Sequence, residues 1–108
     1  MATNFYRTNE EKMLAKVVDR FYEDEIECNE NALQDGDSYT AWTEPDFINY
    51  VVEEVLKEQK YLRLSWANHI VLEAKHIRFM GAERVREIVT HRIQYLHNKD
   101  GQWMWEQK

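Results

Sequence analysis

His69, Glu73 and His76 stand at i, i+4 and i+7, a spacing that on a helix brings two imidazoles and a carboxylate to one face. Such a set can bind zinc or iron. Glu73-Ala74-Lys75-His76 also has the Glu-x-x-His form used by di-iron helical bundles. Those bundles need two such motifs and further glutamates, and only one is present. Glu87 and His91 lie four apart, which suits zinc but not that motif, and His-Glu-x-x-His is absent. The three residues therefore read first as a polar helix face beside Ile70 and Ile77, and second as ligands of a metal-dependent helical enzyme. No cofactor is expected.

Acidic clusters are the next source of chemistry. Glu23, Glu27 and Glu30, or Glu53, Glu54 and Glu58, could hold magnesium. Glu53-Glu54 followed by Glu58 resembles, over a few residues, the acid-rich helices of pyrophosphohydrolases of the MazG type. No Glu-x-x-Asp follows on a later helix, so no site is carried over from that resemblance. Charge runs of this kind usually form a solvated face. Cys28 is the one cysteine, with Glu25, Glu27 and Glu30 close by. Their charge disfavours a thiolate, so catalysis by Cys28 is not expected. There is no Gly-rich phosphate loop and no nucleophile elbow.

Charge is divided along the chain. Residues 1–60 hold 15 Asp/Glu against 6 Lys/Arg, and residues 61–108 hold 5 against 8 and all four histidines. The halves carry −9 and +3, and the whole −6. Such a division can place an acidic and a basic face on one body and steer association with charged partners. A nucleic-acid adaptor would use the basic half, from Arg63, Lys75, Arg78, Arg84, Arg86 and Arg92 to Lys99. Glu83 and Glu87 interleave with those residues and the net charge is negative, so nucleic acid is not the expected partner.

The sharpest binding signal is Trp103-Met104-Trp105, together with Trp42. Trp and Met are favoured as interface anchors. Two Trp close to a chain end either fold back onto the core or meet another chain. These four residues are the expected interface, and a protein partner or a homo-oligomer, such as a homodimer, is the expected binder.

The elements that must carry these groups read as helices. Three Gly and one Pro in 108 residues leave few tight turns, and 44% apolar residues suffice for one core. Thr8-Asn9-Glu10-Glu11 is a capping box, and the stripe Leu14, Val17, Val18, Phe21 predicts a helix over about 9–33. Its run of acids at 23–27 is a place to stop or kink. Asp35-Gly36-Asp37-Ser38 opens a loop through Trp42. Thr43-Glu44-Pro45-Asp46 starts a second helix to about 60, with Phe47, Ile48, Val51, Val52, Val55 and Leu56 inward. Tyr61–Leu64 alternates and reads as a short extended connection. Ser65 caps a third helix with Trp66, Ile70, Ala74 and Ile77 on one face. Gly81 ends it, and a fourth runs over about 82–97. Residues 90–106 could instead form a hairpin around Asn98–Gly101, but Val85, Ile88, Val89, Ile93 and Leu96 form one continuous helical set.

The expected fold is therefore all-α, one domain over 1–108, a three- to four-helix bundle with room for a short C-terminal strand or hairpin. No secretory leader and no membrane span is seen, and the single cysteine fits a reducing compartment. The expected function is that of a small acidic cytosolic protein that binds another protein as a regulatory or accessory factor, rather than an enzyme.

Overall fold

The computed structural model describes residues 5–36, 42–57, 61–64 and 70–100. Among them lie helices α1 (Asn9–Gln34), α2 (Glu44–Lys57), α3 (Ala74–Met80) and α4 (Ala82–Asp100) and strands β1 (Tyr61–Leu64) and β2 (Ile70–Glu73). The fold is all-α, with the two strands forming a small antiparallel hairpin in the connection from α2 to α3. In its register Tyr61 faces Glu73 and Leu64 faces Ile70.

Both Thr caps form. Thr8 Oγ1 accepts from the Glu11 amide at 3.1 Å, and Thr43 Oγ1 accepts from the Asp46 amide at 3.3 Å. α1 then runs for 26 residues, about 39 Å, matching the helix expected over about 9–33 and continuing through the acids at 23–27. Arg20 contributes there, bridging Glu23 at 3.0 Å and Asp24 at 3.6 Å.

α4 is the central element. Val85, Ile88, Val89 and Ile93 are fully buried along it. Against them pack Leu14, Val17, Val18 and Tyr22 of α1 and Phe47, Val51, Val52 and Val55 of α2. Pairings across the interfaces give the directions. Glu11 meets Arg84 and Asp19 meets Arg92, both 73 residues apart, so α1 and α4 run parallel and in step. Glu44 meets His97 and Asn49 meets Arg86, so α2 runs antiparallel to α4. The long helices thus go up, down and up. The hairpin and α3 fill the connection at the end where α1 and α4 begin. α1 and α2 meet through aromatic side chains instead of close backbones. Trp42 stacks on Tyr50 at 5.2 Å, Phe21 meets Tyr50 edge-on at 6.1 Å, and Tyr22 meets Phe47 at 6.2 Å.

The structure corrects two expectations and decides between two alternatives at α4. Ile70–Glu73 is a strand, so of the helix expected from 65 the described residues hold only the seven of α3, and 65–69 lie outside the described residues. The strand's β-branched and aliphatic run, Ile-Val-Leu, satisfies its backbone against β1 and suits a strand as well as a helix. Phe21 is only half-buried, and its neighbour Tyr22 takes the core position at 1% exposure. The alternative hairpin over 90–106 does not form within the described residues, because α4 is helical through Asp100.

Gly81 joins two helices in a single residue. Its amide donates to the Ile77 carbonyl at 3.1 Å and closes α3, while its own carbonyl accepts from the Val85 amide at 3.0 Å and opens α4. Its φ of +86° is the left-handed conformation that glycine adopts without strain.

Candidate functional site

Where α1 begins and α3 turns into α4, a cleft of about 460 Å³ opens. Arg7, Thr8, Glu10 and Glu11 form one wall, and His76, Phe79, Met80 and Arg84 form the other. The N-cap places Glu10 and Glu11 in the first turn of α1, and Gly81 sets the angle at which α3 leaves α4.

The cleft has a rigid base. Arg84 forks Glu11, with Nε to Oε2 at 3.1 Å and Nη2 to Oε1 at 2.8 Å. Both side chains are about nine-tenths buried. Glu11 also accepts from the Arg7 amide at 2.8 Å. Expected to reach back to its own cap, it reaches one residue further. The hydrogen bonds from Arg84 hold the Glu11 carboxyl below its ordinary value, against the opposing effect of burial, and the Arg7 amide adds to this. Arg84 is held above its ordinary value by the same pairing. Arg84 further bridges Glu87 at 2.9 Å and lies over the Phe5 ring at 4.6 Å. Phe5 in turn stacks on His91 at 4.0 Å, which ties the residues before α1 to α4.

The upper part of the cleft is different. Phe79 is 90% exposed, far more than any other large apolar residue described. Met80 beside it is half-buried against the core. His76 Nε2 lies 4.0 Å from Glu10 Oε2 across the cleft. An exposed aromatic thus stands over a crevice with one apolar side and a balanced set of charges.

The alternative metal set, His69, Glu73 and His76, is not carried on one helix. Glu73 closes β2, His76 lies in α3, and His69 is outside the described residues. The i, i+4, i+7 geometry needed a helix through 69–76, and the strand removes it. Among the described residues no three His, Cys, Asp or Glu side chains come together as a cation site. The magnesium candidates are likewise dispersed: Glu23 pairs with Arg20, Glu54 lies 3.5 Å from Lys57, and Glu58 is outside the described residues.

Of the expected interface, Trp42 is pinned to its own body. Its Nε1–H donates to Glu25 at 2.9 Å, and its ring packs on Tyr50 and Phe47. Trp103, Met104 and Trp105 lie outside the described residues. By spacing, Phe79 or Met80 flanks the apolar face of the third helix, and the structure puts Met80 against the core and leaves Phe79 out. Phe79 follows the buried Ile77 by two residues, about 200° round the helix, so it cannot face the same core.

Among the described residues, part of the basic half is paired across the bundle. Arg92 forks Asp19 at 2.6 and 2.9 Å, Arg84 forks Glu11, His97 Nδ1 meets Glu44 at 2.8 Å, and Arg86 donates to Asn49 at 2.8 Å. Arg84, Arg92 and His97 of the positive half are thus paired with acids of the negative half. Among the described residues no helix is long and apolar enough to cross a membrane. Comparison with known protein families, characterised proteins and solved structures finds no match to this chain.

Proposed function

We propose that this chain is a small cytoplasmic protein-binding module, an accessory or regulatory factor, whose docking surface is the cleft beside Phe79. The observation that carries the reading is the 90% exposure of Phe79 at the lip of that cleft. A phenyl ring kept in water forgoes about 25 cal/mol per Å² of apolar surface, which a partner seated in the adjoining cleft would supply. Aromatic anchors with a neighbouring pocket are the usual centre of a protein interface. The pairing of Arg84 with Glu11 and of Arg92 with Asp19 argues against nucleic acid, since phosphate binding needs such charges free and outward on one face.

The test separates binding from folding. Phe79→Ser removes the anchor, and at so exposed a site it should change stability by less than about 0.5 kcal/mol. The variant should melt with the wild type and lose the partners retained by wild-type chain in a native pull-down. Unchanged retention of every partner by the Phe79→Ser protein would refute the reading.

A further inference from the structure

We infer that the occupant of the cleft is a second copy of this chain, with Phe79 of each copy seated in the cleft of the other. The inference rests on the reading of the cleft as a docking surface and names what docks there.

Shape supports it. A cavity of about 150 Å³ holds a benzene ring. The cleft offers about 460 Å³, enough for one inserted phenyl ring against Met80. Phe79 lines the cleft that it would fill in its partner, so the donor and the acceptor lie side by side. A two-fold axis through this region would use both at once, the self-complementary arrangement of an isologous dimer.

Charge supports it more specifically. Arg84 and Glu11 cancel each other at the base. That leaves Arg7 and Glu10 as opposite charges on the same wall, with His76 Nε2 lying 4.0 Å from Glu10 across the cleft. A strongly acidic or strongly basic partner gains nothing from such a wall, because one of the two residues always repels it. A second copy reverses the order across a two-fold axis and sets Arg7 against Glu10 and Glu10 against Arg7. The chain's net charge of −6 opposes self-association at long range. At about 0.15 M salt that repulsion is screened beyond roughly 8 Å, so the balanced charges at contact distance decide.

The test is a charge swap read by sedimentation. Wild-type chain, of 13.1 kDa, should move reversibly to twice that mass as concentration rises from about 1 µM to about 1 mM. Arg7→Glu alone and Glu10→Arg alone should each remain monomeric at concentrations where wild type dimerises. Mixed one to one, these two variants should regain the dimer, because each Glu at 7 or 10 then meets an Arg. Phe79→Glu should be monomeric throughout, and its exposed position leaves folding intact if a charge variant melts early. Monomeric wild type at every concentration, or a mixture no heavier than its components, would overturn the inference. Loss of another protein from the Phe79→Ser pull-down would then leave the cleft as a docking surface for that protein. A monomeric wild type with an unchanged pull-down would remove both readings.

Discussion

Arg84 grips Glu11 across the start of two parallel helices, through contacts of 2.8 and 3.1 Å that leave neither side chain more than about a tenth exposed. Eight residues on in each helix, Arg92 grips Asp19 in the same way. Two fork-shaped pairs on one offset fix the register of α1 on α4, because a slip by one turn would bury Glu11 without its partner. Part of the charge division of the chain is therefore matched between α1 and α4, by Glu11 with Arg84 and Asp19 with Arg92.

Breaking the upper pair should be costly. Glu11→Ala leaves the buried Arg84 guanidinium with only the exposed Glu87 as a charged partner, and a loss of about 3 kcal/mol is expected, the low end of the roughly 3–5 kcal/mol that removing one partner of a buried ion pair costs. Replacing both, as Glu11→Leu with Arg84→Met, should recover most of that loss. Urea unfolding of the two single variants and the double variant gives the comparison.

The same pair predicts an acid limb. The Glu11 carboxyl is held below its ordinary value of 4.5, first by hydrogen bonds from Arg84. A lowered folded-state value means stability that is present above the unfolded value and is lost as pH falls through the folded one. Melting temperature should fall from about pH 4.5 downward, and Glu11→Gln should melt lower at neutral pH with a flatter acid limb.

Tyr50 predicts the opposite limb. Burial first, and then the charges of Glu54 and Glu25, raise its phenol above the ordinary value of 10.0. A raised folded-state value means stability that is present below the unfolded value and is lost as pH rises through the folded one. Tyr50→Phe should melt like wild type at pH 7 and lose less stability above pH 10 than wild type does.

Phe21 and Tyr22 provide a packing test. Tyr22 is 1% exposed and half-buried Phe21 lies beside it in the sequence, so Tyr22→Ala should cost about 3–5 kcal/mol and Phe21→Ala clearly less. Chemical denaturation of the pair decides which residue belongs to the core.

Much of this fold could be read from residue types and spacing. Thr8 and Thr43 start helices as their capping chemistry requires, and Val17, Val18, Val51, Val55, Ile77, Val85 and Val89 are buried as their periodicity implies. Local rules are sufficient for these residues because each helix must bury its own stripe. They are insufficient at Ile70–Glu73, where an aliphatic run fits either period and pairing with β1 decides. Phe21 and Tyr22 are adjacent aromatics, and only the angle of α2 selects Tyr22 for the core. The cleft was out of reach for a similar reason. It joins residues 7–11 to residues 76–84, a juxtaposition made by the parallel packing of α1 on α4, and no motif spans that distance.

The most direct test of the account places a photo-crosslinking amino acid at position 79 in the intact chain, with position 95 as the control. Tyr95 is also exposed, at 50%, but lies on α4 outside the cleft. Irradiation in cells should yield a covalent protein adduct from position 79 and little or none from position 95. No adduct from position 79, or equal yields from both positions, would contradict the claim that Phe79 and its cleft form the binding surface.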